Sequence, residues 1–140
     1  MTGGKAVQVE GRCEGGWFIE PTVIEGLANG TKTNQQEIFG PVVSIAPFKN
    51  VEDAIAKANE SDYGLSATIW TSNLSIGHRV AAEVEAGVVW INTWLNRDLR
   101  TPFGGKKQSG LGREGGVEAL RFWTEPKLSL IHISEPTRPY

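Results

Sequence analysis

The chain has 140 residues, a net charge of -2 and 39% hydrophobic residues. These totals suit one globular domain with a real core and argue against a nucleic-acid footprint. No apolar run approaches the ~18 residues of a membrane helix. One cysteine, Cys13, leaves no internal disulfide, and residues 1–9 hold no apolar signal-peptide core, so a reducing cytoplasm is the expected compartment.

Residues 1–16 hold five glycines and read as an exposed loop. Cys13 sits in it between Arg12 and Glu14, with no base placed nearby to activate it as a nucleophile. Residues 17–24 are aromatic and β-branched and read as a strand interrupted or ended at Pro21. Asn29-Gly30 is a turn, and residues 42–48 read as a buried strand. Asn50 caps a helix that carries Val51, Ala54, Ile55 and Ala58 at helical spacing and ends near Ser61. Tyr63-Gly64-Leu65 makes a turn, and residues 65–70 read as a strand. Asn73 caps a second helix with Leu74, Ala81 and Val84 on one stripe, and Gly87 is its expected stop. His78 lies inside that helix with no second metal ligand spaced for it. Residues 88–92 form a near-continuous apolar strand, and residues 114–123 can form a short helix. Strand, helix, strand, helix, strand in this order predicts an α/β fold with a parallel, helix-covered sheet.

Two stretches carry chemistry. Glu37-Ile38-Phe39-Gly40-Pro41 places an acid and an aromatic ring on a stiff turn before a strand. That suits a ligand with a polar end and a flat face; a capped turn with a buried Phe is the plainer alternative. Residues 92–105 follow the carboxyl end of a strand, where open α/β sheets bind ligands. This loop carries Arg97, Arg100 and Phe103. A planar guanidinium matches a carboxylate bidentately, so the loop suits a substrate with a carboxylate and an apolar body. The alternative is a solvated loop with Arg97 or Arg100 paired to Asp98. Gly110-Leu111-Gly112-Arg113-Glu114-Gly115 has the spacing of a dinucleotide fingerprint but lacks the strand directly before it. Its glycines are read as serving tight turns and close backbone packing.

Several motifs agree in order with one known family. Glu37-Ile38-Phe39-Gly40-Pro41 resembles the E-I-F-G-P motif of NAD(P)-dependent aldehyde dehydrogenases, with Gln36 where the family usually has a second acid. G-W-F-I-E-P-T-V at residues 16–23, N-x-x-x-Y-G-L at residues 59–65 and P-F-G-G-x-K-x-S-G-x-G-R-E at residues 102–114 resemble it too. The wording around residues 92–105 resembles the branch that oxidises 2-hydroxymuconic and 2-aminomuconic semialdehydes.

The resemblance implies the C-terminal portion of an aldehyde dehydrogenase catalytic domain over residues 1–125, with residues 126–140 outside the family pattern and expected to be a spurious tail. It implies a cofactor-binding group of Glu37 on the nicotinamide ribose, Phe39 beside the nicotinamide ring and Leu65 near its pocket. It implies a substrate-binding group of Arg100, then Arg97, with Phe103. The cofactor implied is NAD, with NADP left open because the ribose-phosphate end is bound by another domain of the family. In the family a thiolate attacks the aldehyde, hydride passes to NAD and water releases the acid. The nucleophilic Cys, general-base Glu and oxyanion-holding Asn are expected upstream of residue 1, so no catalytic residue is assigned here and the chain is expected to be inactive alone. The partners implied are a small aldehyde and a parent homo-oligomer, with neither membrane nor nucleic acid nor metal. A non-catalytic α/β module that binds a ligand or a dehydrogenase subunit is the alternative.

Overall fold

The computed structural model describes residues 1–131. Strands β1 (Ala6–Val7) and β2 (Phe18–Ile19) pair antiparallel, and Thr2 bridges to Val23. Residues 1–16 are therefore not wholly loop. A two-residue ladder joins segments twelve residues apart, a pairing that local sequence does not signal. Pro21 separates β2 from β3 (Thr22–Glu25), as its missing N–H requires. Helix α1 (Lys32–Gln35) is one short turn, and β4 (Val42–Ile45) runs parallel to β3 with Thr22 opposite Val42.

Helix α2 (Val51–Asn59) begins where the Asn50 side chain accepts the Asp53 N–H at 2.9 Å. Helix α3 (Leu74–Glu83) begins in the same way, with Asn73 accepting from Ile76 at 3.1 Å. Between them lie β5 (Tyr63–Gly64) and β6 (Ser66–Ile69). Strand β7 (Val88–Ile91) lies parallel to β6, with Ser66 opposite Val88. Residues 63–64 of the expected turn are a short strand, because β8 (Lys106–Lys107) pairs with them antiparallel. Helix α4 (Gly116–Trp123) closes the described secondary structure.

The α/β class and the parallel pairing hold, but the described strands form four two-stranded sheets rather than one. The core sits where α2, α3 and β7 meet: Ile55, Val84, Ala86 and Trp90 are its buried apolar residues. Arg79 ties α2 to α3, reaching Glu52 at 2.7 Å and Glu83 at 2.9 Å. Strand β4 is not buried as its sequence suggested. Val43 is 54% and Ile45 55% exposed, because no described element covers that face.

Gly87 is not the stop of α3. The helix ends at Glu83, where Val84 turns to extended backbone. Gly87 serves close approach instead: an added Cβ would lie 1.7 Å from the Gly104 carbonyl oxygen. Gly112 and Gly115 have φ of 69° and 80°, and a Cβ at Gly112 would meet the Phe122 ring. The turn-and-packing reading of these glycines therefore holds. Residues 124–131 carry no helix or strand, and Leu128, Leu130 and Ile131 are exposed. The expectation of a separate tail over 126–140 falls mainly on residues 132–140, outside the described residues.

Candidate nicotinamide and substrate site

The acid and ring of the first motif are held by a stiff local frame. The Pro41 carbonyl accepts the Thr22 N–H at 2.8 Å, which locks the motif to the start of the β3–β4 pair. Val42 N–H donates to the Gly40 carbonyl at 2.7 Å, closing a tight turn. Phe39 has a φ of 53°, in the left-handed region that a bulky residue rarely adopts. Its ring is 92% exposed, so it is not the buried turn residue of the plainer alternative. Backbone strain of this kind gathers at ligand clamps and is sustained by the surrounding structure.

Glu37 borders two openings. One is a cleft of about 520 Å³ between residues 34–37 on one side and Ser61, Tyr63, Gly64, Leu65, Ser66, Gln108 and Ser109 on the other. The second, about 300 Å³, lies along residues 36–40 with Val42 and Ser44 and includes Phe39. Another 520 Å³ opening lies among Gln8, Val9, Glu10, Gly11 and Glu14, so volume alone does not single out the motif cleft. The motif cleft is set apart by bordering both Glu37 and Leu65, two of the residues the family resemblance names.

Leu65 joins β5 to β6, and its carbonyl accepts the Val88 N–H at 3.2 Å. It lines the 520 Å³ cleft and also a 150 Å³ cavity formed with Phe103, Gly104, Gly105 and residues 109–114. Leu65 and Ser109 line both openings and are thus the common wall between the Glu37 side and the Phe103 side. Phe103 is fixed by a backbone bridge to Glu114, with N–H···O distances of 2.8 and 2.7 Å.

The two arginines differ. The Arg97 guanidinium carbon lies 4.1 Å from the Phe103 ring centroid, a cation–π contact. Its nearest acid is Glu114 at 3.9 Å. Arg100 forks onto Asp98, with Nε 2.9 Å from Oδ1, and its side chain is 89% exposed. That fork holds the Asp98 carboxyl below its usual range and raises the Arg100 guanidinium, each mainly through the shared hydrogen bonds. The pairing of Arg100 with Asp98 is the alternative the loop sequence allowed. Glu37 and Leu65 border one opening, Leu65 and Phe103 another, and Arg97 lies on the Phe103 ring; Phe39 borders the second opening beside Glu37, and Arg100 borders none of these three. Cys13 is exposed in a 3₁₀ turn over Gly11–Cys13. Among the described residues no cluster of His, Cys, Asp and Glu could hold a metal ion, and no helix is long and apolar enough to cross a membrane.

The Glu37 side chain bordering the cleft and the exposed Phe39 beside it are of the types that take sugar hydroxyls and a flat ring, so the residues present fit the nicotinamide end of a dinucleotide. Sequence reasoning left Lys107, Gln108 and Ser109 unassigned, although Lys107 and Ser109 stand at fixed places of the P-F-G-G-x-K-x-S-G motif. The motif itself was the available signal.

The family model described as the aldehyde dehydrogenase family matches residues 1–129. The 2-hydroxymuconic semialdehyde dehydrogenase of Pseudomonas sp. strain CF600 is 53% identical over 127 residues, covering 91% of this chain and 26% of that protein. Human 2-aminomuconic semialdehyde dehydrogenase is 47% identical over 116 residues, covering 83% and 24%. A solved P. syringae indole-3-acetaldehyde dehydrogenase, AldA, in complex with NAD+ and IAA, superposes with a TM-score of 0.82 at 43% identity, covering 89% and 25%. The chain therefore spans about a quarter of the length of the relatives it matches. Motif order, α/β architecture and these matches converge: the chain belongs to the aldehyde dehydrogenase family.

Proposed function

We propose that this chain forms the nicotinamide-end and substrate-end wall of an NAD-dependent aldehyde dehydrogenase that oxidises a carboxylate-bearing muconic semialdehyde to the acid. The observation that carries the reading is the sharing of Leu65 between the Glu37 cleft and the Phe103 cavity. A cofactor ring on one side and an aldehyde on the other would meet across that side chain. NAD, when bound, supplies the acceptor for the hydride leaving the aldehyde carbon. Glu37 accepts a hydrogen bond from a ribose hydroxyl, Phe39 packs its exposed face beside the nicotinamide, and Leu65 keeps water from the junction. Arg97, held over Phe103, pairs with the substrate carboxylate; Arg100 adds a second cation at the loop edge when it exchanges Asp98 for substrate. NADP is compatible with the same residues.

The chain works as part of a larger catalytic unit and does not turn over substrate alone. Cys13 has no positioned activator, and a covalent nucleophile cannot be omitted from this chemistry. Among the described residues Trp17, Phe48 and Trp94 are exposed, which fits a wall that packs against further protein. A cytoplasmic, homo-oligomeric parent enzyme completes the proposal.

The test is a chimera of the P. syringae AldA enzyme in which residues 1–125 replace the matching stretch. The reading predicts no NADH from the purified 140-residue chain with any aldehyde. It predicts NADH formation by the chimera, with preference moved from indole-3-acetaldehyde toward 2-hydroxymuconic semialdehyde. Aldehyde oxidation by the chain alone, or a folded chimera whose preference is unmoved, overturns it.

A further inference from the structure

Two motif stretches, 48 residues apart in sequence, meet at one ammonium. Lys107 Nζ donates to the Asn59 carbonyl at 2.6 Å and the Ser61 carbonyl at 2.8 Å, and lies 2.5 Å from a Glu85 carboxylate oxygen. The two carbonyls take two of the three N–H donors of the ammonium, and the Glu85 carboxylate stands beside it as an ion pair. Asn59 ends α2, so its carbonyl is one of the acceptors a helix leaves without an internal partner. A cation there also meets the negative end of the helix dipole. The Lys107 backbone has a φ of 53°, a costly conformation for a long side chain.

Further bonds surround that clamp. Gln108 N–H donates to the Asp62 carbonyl at 2.9 Å, and Gly64 N–H to Ser109 Oγ at 2.9 Å. Tyr63 stands opposite Lys107 and Gly64 opposite Lys106 in the β5–β8 ladder. The Asn59 side chain accepts the Glu85 N–H at 2.7 Å and donates to the Glu83 carbonyl at 2.8 Å, so the end of α3 is tied into the same knot. Ser61, Tyr63, Gly64, Leu65, Ser66, Gln108 and Ser109 make one wall of the 520 Å³ cleft, and Glu37 stands on the other. Lys107 does not line the cleft itself. Its ammonium is spent on the three oxygens behind the wall.

We propose that Lys107 is a positioning residue: by clamping the end of α2 to β8 it sets the distance between the Leu65 wall and Glu37, and so the fit of the nicotinamide end. The inference rests on the reading of that cleft as a nicotinamide site. It differs from a general stability role, because it predicts local loosening of one wall and a loss of ligand fit together.

The experiment compares the 140-residue chain with Lys107→Met, Lys107→Arg and Glu37→Gln. Two quantities are read: amide hydrogen exchange at Gly64, Gln108 and Thr22, and affinity for nicotinamide mononucleotide by NMR titration. Lys107→Met is expected to speed exchange at Gly64 and Gln108 by about tenfold or more, leave Thr22 unchanged and weaken the nucleotide several-fold. Lys107→Arg keeps the donors and is expected to restore most of both. Glu37→Gln is expected to weaken the nucleotide with no change in exchange. Unchanged exchange at Gly64 and Gln108 in Lys107→Met overturns the inference. So does faster exchange at all three amides, which marks global destabilisation, or local loosening with unaltered affinity. A wild-type chain that ignores the nucleotide overturns the reading of the cleft and the inference with it, whereas binding that needs Glu37 but not Lys107 overturns the inference alone.

Discussion

Gly87→Ala puts a Cβ into the tightest approach found at any glycine among the described residues. The added Cβ would sit 1.7 Å from the Gly104 carbonyl oxygen and 3.1 Å from the Gly105 Cα, whereas ordinary contact begins at 3.4 Å. The start of β7 and the 104–105 loop must therefore part by well over an ångström. That movement strains the Gly87 N–H bond to the Gly64 carbonyl at 3.0 Å and the neighbouring Val88–Leu65 bond at 3.2 Å. Overpacking costs about 1–3 kcal/mol and a lost backbone bond about 1 kcal/mol. Replacing Gly by Ala in the unfolded chain returns roughly 0.4–1 kcal/mol. The net loss is roughly 1–3.6 kcal/mol, which with a urea slope of about 1.5 kcal/mol/M lowers the midpoint by roughly 0.7–2.4 M. Trp90 reports the transition: it is 9% exposed, while Trp17, Trp70, Trp94 and Trp123 lie in the open. Gly30→Ala is the control, because nothing lies within 4 Å of its Cβ position and its φ is not left-handed. Equal midpoints for the two variants would refute the close-approach argument.

Phe39→Ala is expected to change stability by less than about 0.5 kcal/mol, since the ring is exposed, yet to weaken nicotinamide mononucleotide several-fold. A large stability loss by urea titration would show that the ring packs rather than waits for a ligand. In the chimera, Arg97→Met is expected to raise KM for 2-hydroxymuconic semialdehyde more than Arg100→Met does, because Arg97 lies on Phe103 while Arg100 is already forked onto Asp98. The reverse order would make Arg100 the main carboxylate partner. The hydrogen bond from Arg79 holds Glu52 below its ordinary value of 4.5. A lowered folded value means that this contribution is fully present above 4.5 and is lost as pH falls through the folded value. The gap in urea midpoint between the wild-type chain and Glu52→Gln should therefore be open at pH 6 and close on acidification; a gap that widens in acid contradicts the assignment.

Local rules made much of this legible. Asn50 and Asn73 announce helix starts because an Asx side chain satisfies an orphan N–H wherever a helix follows. Pro21 divides a strand for want of a donor. Long-range partners were not legible. Ala6–Val7 becomes a strand only because Phe18–Ile19 lies beside it, and Tyr63–Gly64 only because Lys106–Lys107 does. Gly87 looked like a helix stop because that is a glycine's commonest local use, whereas its reason is a carbonyl seventeen residues away. For the site, the motifs named Glu37, Phe39, Leu65, Arg97, Arg100 and Phe103, but residue types alone do not rank two arginines three positions apart. The Phe103 ring separates them by holding one and not the other. Lys107 escaped assignment because two of its partners are main-chain carbonyls and the third, Glu85, lies twenty-two residues away, so local sequence does not show that they meet.

The central claim is that one cleft wall takes the nicotinamide end of a dinucleotide beside the aldehyde pocket. The most direct test is a titration of the isotopically labelled chain with nicotinamide mononucleotide, read at every backbone amide. The account predicts saturable shifts concentrated at Glu37, Phe39 and Leu65, with the titration weakened in Glu37→Gln. Shifts concentrated instead around residues 8–14, or none at all, would contradict it.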